Sequence, residues 1–158
     1  MPDSVYGSGS VSGRTPEWEE NKGILTGKGG CRVTALIVDR NRNCRMRLKY
    51  LIRKREENCC VIVFSDGRQA LDYAAGQEVD FLFVEVESRG INGFSLCRKV
   101  KGMQSQCYLT LMSEKGDYAY EAWMYGADNY LVKPFDGDRI GAILKDALLK
   151  RGYVEERI

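Results

Sequence analysis

The sequence predicts an α/β fold in which one doubly wound, five-stranded parallel sheet carries helices on both faces. Its short apolar runs are nearly continuous rather than alternating, which is typical of strands buried on both sides. Segments of helical length separate successive runs. Five βα units in succession favour a parallel sheet, because right-handed crossovers allow little else. The predicted strands are Val33–Val38, Cys60–Phe64, Phe81–Val86, Tyr108–Met112 and Asn129–Val132.

The predicted helices follow the strands in regular order from Arg32 onward. Asp66 with Gly67 and Asn92 with Gly93 supply turn or capping chemistry directly before the second and third helices. The other helices are predicted from length and position between strands. The predicted helices span about 42–56, 67–76, 93–103, 116–125 and 136–150.

The chain is expected to form one domain with a tail. Residues 1–30 are rich in Gly and Ser and lack periodicity, which predicts a flexible N-terminal tail. The domain is expected over 31–151, followed by a short C-terminal extension over 152–158. Within the tail, the acidic stretch Pro16–Glu20 surrounds Trp18. This stretch favours either a short docking motif or a Trp that packs back onto the domain.

The composition is ordinary for a globular protein, with 44% apolar residues, 29% charged residues and a net charge of +2. No apolar run approaches the ~20 residues that cross a bilayer. The N-terminus lacks the features of a signal peptide, so we expect a cytoplasmic protein. Six cysteines occur without a C-x-x-C pair and without any histidine, which disfavours a zinc site. We expect these cysteines to be reduced and to pack as small apolar residues.

Polar residues follow the predicted strands at the edge of the sheet where function is expected. In open parallel sheets, ligands bind beyond the carboxyl ends of the strands. The candidates here are Asp39 and Arg40 after the first strand, Glu85 at the end of the third, Ser113 after the fourth and Lys133 after the fifth.

These residues stand within a pattern that resembles the receiver domain of bacterial response regulators. The matching segments, in order and spacing, are Leu36–Asp39 with Arg45, Ser65–Gly67 with Ala70 and Leu71, Asp80–Glu85, Gly93 with Phe94, and Gly126–Phe135. The resemblance covers about 32–150, and Gly126–Phe135 is its most specific stretch. It implies a CheY-like, flavodoxin-like sheet with strand order 2-1-3-4-5.

The resemblance also implies a division of labour at the carboxyl edge. In the family, two adjacent acids help to hold Mg²⁺, an aspartate ending the third strand accepts a phosphoryl group, a Ser or Thr contacts that group and a Lys neutralises it. Phosphoryl transfer needs such a placed oxygen, a divalent ion and fixed positive charge. Asp39, Ser113 and Lys133 keep these positions, and Tyr130 takes the place of the family's aromatic switch residue. The bond between Lys133 and Pro134 is expected to be cis.

Two positions depart from the family pattern. Glu85 stands where the acceptor aspartate belongs, and its extra methylene displaces the carboxylate from the in-line position. Arg40 stands where the second metal-binding acid belongs, and a guanidinium cannot ligate a hard cation. We therefore expect no cofactor, Mg²⁺ binding that is lost or very weak, and no ordinary phosphorylation.

Arg40 is the candidate replacement for the metal. We expect its guanidinium to bridge Asp39 and Glu85, with Lys133 on the other side of Glu85. Glu85 would then partly imitate a phosphorylated aspartate, with its carboxylate nearer Ser113. The alternative is that Arg40 and Glu85 are merely solvated at a site that has lost its function.

An aromatic surface favours a protein partner. The segment 117–125 carries more aromatic surface than one buried helix stripe uses, and an exposed patch of this kind is typical of a protein–protein contact. We expect a partner protein, or a second copy in a homodimer, on the face between the fourth and fifth helices. The alternative is that most of these rings belong to the core. The predicted interaction face comprises Tyr118, Tyr120, Trp123, Tyr125 and Phe135.

The first predicted helix is strongly basic and has no acid before Glu56. Such a face can attract an acidic protein surface, anionic lipid or nucleic acid, although a solvated helix is the commoner case. Of these three, nucleic acid is not expected, because the segment lacks a reading motif and interleaved stacking aromatics. The basic residues are Arg40, Arg42, Arg45, Arg47, Lys49, Arg53, Lys54 and Arg55.

Together these features predict a phosphorylation-independent pseudo-receiver, a protein-interaction module without enzymatic activity in a bacterial signalling or assembly pathway. One alternative is a genuine single-domain response regulator that a histidine kinase phosphorylates. Another is a structural subunit that uses the fold for oligomerisation. The fold alone does not decide among them.

Overall fold

A computed structural model describes residues 33–150. The predicted tail, Trp18 within it and the C-terminal extension lie outside the described residues. The strands are β1 (Val33–Val38), β2 (Cys59–Phe64), β3 (Phe81–Glu85), β4 (Tyr108–Ser113) and β5 (Asn129–Val132). The α-helices are α1 (Arg42–Arg55), α2 (Gly67–Gly76), α3 (Gly93–Met103), α4 (Ala119–Met124) and α5 (Gly137–Lys150).

The strands form one parallel sheet in the order β2-β1-β3-β4-β5. The predicted fold class and strand order are therefore confirmed. On β1, Leu36 pairs with Ile62 of β2 and with Leu82 of β3. The strand order reverses at β1, so the carboxyl ends of β1 and β3 flank the crevice where such folds bind ligands.

Helices cover both faces of the sheet and bury its strands. On one face, Ile37 of β1 joins Leu48 and Ile52 of α1 and Ile140 of α5 in one apolar cluster. The neighbouring side chains of β1, Leu36 and Val38, point to the other face and pack with α2, α3 and α4. Burial on both faces explains why the strands are continuously apolar in sequence.

Side-chain caps fix where three of the helices begin. The side chain of Asn41 accepts a hydrogen bond from the N–H of Cys44 at 3.0 Å at the start of α1. Asp66 and Asn92 cap α2 and α3 in the same way, as the sequence predicts. Because the first N–H groups of a helix lack internal partners, these caps stabilise the turns that follow β1, β2 and β3.

The structure corrects two expectations from the sequence. The helix predicted over 116–125 is present, but its first turn, Gly116–Tyr118, is a 3-10 helix and only α4 is α-helical. No side chain caps either segment, and Gly126 ends α4 with a φ of 92°. The cysteines are also not all reduced. Cys60 is disulfide-bonded, a pairing that sequence spacing cannot exclude because folding brings distant residues together.

No disulfide joins the remaining described cysteines, which are Cys44, Cys59, Cys97 and Cys107. Burial raises the pKa of Cys59 to about 12, so this thiol packs as a small apolar group. Among residues 33–150, no helix is long and apolar enough to cross a membrane.

Candidate functional site at the carboxyl edge of the sheet

The fold brings the predicted site residues to one place. Asp39 follows β1, Glu85 ends β3, Ser113 ends β4 and Lys133 follows β5. Asp39, Glu85 and Ser113 expose only 1%, 6% and 2% of their surface. Buried carboxylates are costly unless they are paired and hydrogen-bonded, so their partners determine what the site can do.

Arg40 binds Glu85 through its backbone and its side chain. The backbone N–H donates to Glu85 Oε1 at 3.0 Å. The guanidinium donates from Nε to Oε1 and from Nη2 to Oε2, each at 3.3 Å. The result is a fork-shaped, bidentate arginine–carboxylate pair, which is a geometrically specific arrangement. About half of the Arg40 side chain remains exposed to solvent.

Lys133 joins the two carboxylates on the inner side of the site. Its Nζ donates to Asp39 Oδ2 at 2.7 Å and lies 3.5 Å from Glu85 Oε2. Only 10% of the Lys133 side chain is exposed. Two anions, Asp39 and Glu85, are thus matched by two cations, Lys133 and Arg40. The charges of this cluster sum to zero without any bound ion.

The detailed arrangement differs from the expected one. The guanidinium of Arg40 was expected to bridge Asp39 and Glu85, but Lys133 is the residue that contacts both. The backbone N–H of Arg40 already donates to Glu85. The side chain of Arg40 therefore starts beside this carboxylate, and its Nε donates to the same oxygen. The prediction that the Glu85 carboxylate lies nearer Ser113 than an aspartate would stays a prediction. The contacts of this carboxylate are with Arg40 and Lys133, and no hydrogen bond joins it to Ser113 within residues 33–150.

Arg45 fixes the turn that carries Arg40. Its Nη1 donates to the carbonyl oxygen of Asp39 at 2.9 Å and to that of Arg40 at 3.3 Å. The N–H of Asn41 donates to Asp39 Oδ1 at 2.9 Å. Arg45 and Asn41 therefore hold the turn between β1 and α1 in the conformation that presents Arg40 to Glu85. The only sequence signal for this role is the position of Arg45 one turn into the helix.

Charge pairing dominates the protonation of the cluster. Burial by itself raises the pKa of Glu85, but hydrogen bonds from Arg40 and the charge of Lys133 outweigh it and hold that pKa below its ordinary value of 4.5. Burial likewise lowers the pKa of Lys133, but the hydrogen bond to Asp39 and the charge of Glu85 raise it above 10.5 overall. Both groups are therefore charged at neutral pH.

The side chains of this site do not fit a divalent metal ion. Both oxygens of Glu85 face cationic donors, and both oxygens of Asp39 accept hydrogen bonds from N–H groups. Mg²⁺ needs oxygen ligands in near-octahedral geometry. The guanidinium of Arg40 lies beside the Glu85 carboxylate, and it can neither ligate Mg²⁺ nor leave that carboxylate free to do so. Among the residues from Val33 to Lys150, no three Asp, Glu, His or Cys side chains gather in a metal-binding group.

Tyr130 and Ser113 are linked through the loop after β4. Ser113 Oγ accepts a hydrogen bond from the N–H of Lys115 at 3.1 Å. The hydroxyl of Tyr130 donates to the carbonyl oxygen of the same residue, Lys115. Tyr130 is partly buried against the core, and this burial raises the pKa of its hydroxyl. The aromatic ring is thus turned toward the loop that carries Ser113.

The segment after β5 completes the site. The peptide bond between Lys133 and Pro134 is cis, as the resemblance implies. A cleft of about 410 Å³ opens beside it, lined by Cys44, Arg47, Glu114, Lys133, Pro134 and Phe135. Sequence reasoning did not single out this cleft, because its walls come from α1 and from two loops that are distant in sequence.

Only two of the five residues predicted for the interaction face lie together on an exposed surface. Tyr120 and Trp123 are exposed by 67% and 72%, with ring centroids 6.4 Å apart. Tyr118 and Tyr125 instead pack against Phe94, with ring centroids at 5.6 Å and 5.1 Å. Phe135 does not lie with these rings, since it packs against the core on the α1 and α5 side of the sheet.

Comparisons with known proteins agree with the fold. A family model described as the response regulator receiver domain matches residues 35–145. The chain belongs to the response regulator receiver domain family. This receiver domain is 32% identical over 110 residues to the sensory transduction protein LytT of Bacillus subtilis, covering 70% of this chain and 46% of LytT. It is 32% identical over 117 residues to the response regulator ArlR of Staphylococcus aureus, covering 73% of this chain and 52% of ArlR.

The receiver domain spans about half the length of the curated relatives it matches. Among solved structures, it resembles the chemotaxis response regulator CheY4 of Vibrio cholerae, with a TM-score of 0.65 and 25% identity over 73% of this chain and 98% of CheY4. The BeF3-activated DrrB receiver domain shares the fold, with a TM-score of 0.67 and 19% identity over 74% of this chain and 97% of that chain.

Proposed function

We propose that this receiver domain works without phosphorylation, as a protein-interaction module in a bacterial signalling or assembly pathway. The observation that carries the proposal is the ion-pair cluster formed by Arg40, Glu85, Lys133 and Asp39. The cluster supplies from side chains the charge balance that a metal ion and a phosphoryl group supply in phosphorylated relatives.

The cluster also opposes phosphoryl transfer to Glu85. A nucleophile must present a free lone pair in line with the bond that breaks. Both oxygens of Glu85 are held by Arg40 or Lys133, at 3.0 to 3.5 Å. Attack on a phosphodonor would separate a buried carboxylate from its partners, and separating such a pair is strongly unfavourable.

The loop after β4 supports a fixed signalling state. Tyr130 and Ser113 both bind the backbone of Lys115, one through its carbonyl oxygen and the other through its N–H. Both contacts form in a site whose charges are already balanced by Arg40 and Lys133. The loop conformation is therefore independent of added phosphate in this proposal.

Output is proposed to pass through the exposed part of α4. Tyr120, Trp123 and Met124 are exposed by 67%, 72% and 54% on one short helix. Aromatic and Met side chains are enriched at protein–protein contacts, and burying an aromatic side chain against a partner contributes much of the binding free energy. A partner protein or a second copy of the domain fits this surface. The cation–π contact of Arg98 with Tyr125, at 4.6 Å, borders it.

One alternative function keeps support from the site, because Asp39, Ser113 and Lys133 retain the family's residue types. In that case the domain is a genuine response regulator with an unusual acceptor. A titration of the isotope-labelled protein with Mg²⁺ and then with beryllofluoride, followed by NMR, separates the two functions. The proposal expects no saturable shift at Asp39, Glu85 or Lys133. Saturable shifts that also move Tyr130 would establish the phosphorylation switch instead.

A further inference from the structure

The outer side of α1 carries a ridge of exposed residues that the receiver site does not use. Arg42, Met46, Tyr50 and Lys54 follow one another at intervals of four residues and are all exposed. Residues spaced in this way lie on one side of a helix. We call these four residues the α1 ridge. Met46 and Tyr50, at its centre, are exposed by 42% and 61%.

The α1 ridge lies in an excess of positive charge. The helix sequence from Arg42 to Arg55 contains seven basic residues and no acidic one. Within residues 33–150, the ion pair that α1 makes with an acid is Arg55 with Asp138, at 3.8 Å at the end of the helix. Burial lowers the pKa of Lys49, and the neighbouring charge of Arg53 lowers it further. An apolar pair surrounded by cations fits a segment that combines an aromatic ring with carboxylates.

We propose that the acidic stretch Pro16–Glu20 of the same chain docks on the α1 ridge. This stretch places Trp18 among Glu17, Glu19 and Glu20. The indole packs against Met46 and Tyr50, and the carboxylates lie near the cations at the two ends of the ridge. The proposal is independent of whether the receiver site can be phosphorylated.

The intervening chain is long enough for this contact. Twelve residues, 21–32, separate Glu20 from the start of β1. At about 3.6 Å per residue they span up to about 40 Å. The 14 residues of α1 measure about 21 Å along the helix axis. The last turn of α1 also lies near the edge where β1 begins, since Val33 pairs with Cys59 just after the helix.

Tethering makes a weak contact effective. A segment joined by a short linker acts at an effective concentration in the millimolar range, so modest charge and ring contacts suffice. Docking would shield Met46 and Tyr50 from water. It would also exclude an acidic partner from the same surface, so that the tail and such a partner compete. High salt should release the segment, because exposed charges are screened.

Acrylamide quenching of Trp18 fluorescence tests the contact in the full chain. The sequence has two tryptophans, so W123F leaves Trp18 as the only reporter. In this background, Trp18 should be quenched less than free N-acetyl-tryptophanamide. R42E/K54E should raise the quenching to the free value and shift the emission to the red. K99E/K145E makes the same charge change at exposed sites on α3 and α5 and should have no effect.

Adding E19K/E20K to R42E/K54E should restore protection, since the charges are then exchanged across the contact. The inference is overturned if Trp18 is as accessible as the free compound in the starting protein. It is also overturned if R42E/K54E leaves the quenching unchanged. Protection that disappears on dilution would place the segment on a second copy rather than on its own domain, and would equally contradict the intramolecular contact.

Discussion

Lys133 Nζ lies 2.7 Å from Asp39 Oδ2 and 3.5 Å from Glu85 Oε2, so one ammonium group serves two carboxylates at the carboxyl edge of the sheet. All three side chains expose a tenth of their surface or less. Arg40 supplies the second positive charge from the solvent side. The two carboxylates of the pocket are therefore neutralised by two cations of the same chain, and removing either cation should have measurable consequences.

Replacing Lys133 with Met should destabilise the domain strongly. The change leaves Asp39 and Glu85 buried near each other without the cation that joins them. Breaking a buried pair from one side costs about 3–5 kcal/mol. The free energy of unfolding in urea measures this loss. Lys145→Met, at an exposed position on α5, is the matched control and should stay within about 0.5 kcal/mol of the starting protein. Equal effects of the two changes would contradict the pairing.

The stability of the domain should depend on pH through Glu85. Its pKa is held below 4.5 in the folded state. The contribution of Glu85 to the free energy of unfolding is therefore fully present above pH 4.5, and it is lost as the pH falls through the lower pKa of the folded state. Lys133 behaves in the opposite sense. Its pKa is raised above 10.5, so its contribution is present below pH 10.5 and is lost as the pH rises through the higher folded value.

Unfolding free energies of the starting protein and of Glu85→Gln, compared between neutral and acid pH, test this linkage. The difference between them should be largest near neutrality and should shrink as the pH falls below 4.5. A difference that is the same at every pH would show that Glu85 contributes through packing alone.

Gly93 should be intolerant of a side chain because α3 begins against the end of β3. A Cβ at this position would lie 2.6 Å from the carbonyl oxygen of Glu85 and 2.8 Å from Leu111 Cδ2. Gly93→Ala should therefore destabilise the domain and disturb the NMR signals of Glu85. Gly102→Ala is the control on the same helix, because nothing lies within 4 Å of its Cβ. That change should stabilise the domain by roughly 0.5–1 kcal/mol, and a loss of stability there would undermine the comparison.

Trp123→Ala should abolish association through α4 without harming the fold. The side chain is exposed by 72%, so its removal should change the unfolding free energy by less than about 0.5 kcal/mol. Sedimentation across a range of protein concentrations measures self-association, and partner capture in metal-free buffer measures partner binding. Leu149→Ala, exposed by 51% on α5, is the control. Retained association in the Trp123 variant would assign the contact to another surface.

Much of the fold could be predicted because strands buried on both faces appear in the sequence as continuous apolar runs. Strands β1 and β5 match their predicted bounds, and Asp66 and Asn92 cap helices where predicted. The segment from Gly116 to Tyr125 could not be predicted in the same way. Its tyrosines divide between solvent and Phe94, and that division depends on packing between α3 and α4 rather than on local pattern.

The site residues could be predicted from their positions after strands, but their pairing could not. Which cation bridges Asp39 and Glu85 depends on the direction of the Arg40 backbone N–H, and Arg45 sets that direction. The surroundings of Phe135 could not be predicted from sequence position either. Its place in sequence suggested the aromatic face, whereas the turn after β5 directs it into the opposite side of the sheet.

Restoring the family's acids at both altered positions should restore metal binding. Arg40→Asp with Glu85→Asp removes the guanidinium from the site and supplies oxygen ligands beside Asp39, which suits Mg²⁺. Calorimetry should detect saturable Mg²⁺ binding in this double variant and none in the starting protein. Arg42→Asp adds an acid at an exposed position on α1 and should not gain binding. Failure of the double variant to bind would show that Arg40 is not what excludes the metal.

Phosphoryl transfer itself gives the most direct test of the account. The starting protein, Glu85→Gln and the double variant Arg40→Asp with Glu85→Asp are each incubated with acetyl phosphate and Mg²⁺, and their intact masses are measured. We expect a phosphoryl adduct on the double variant and none on the starting protein. An adduct on the starting protein that Glu85→Gln removes would contradict it, and would make this domain a phosphorylation switch with glutamate as its acceptor.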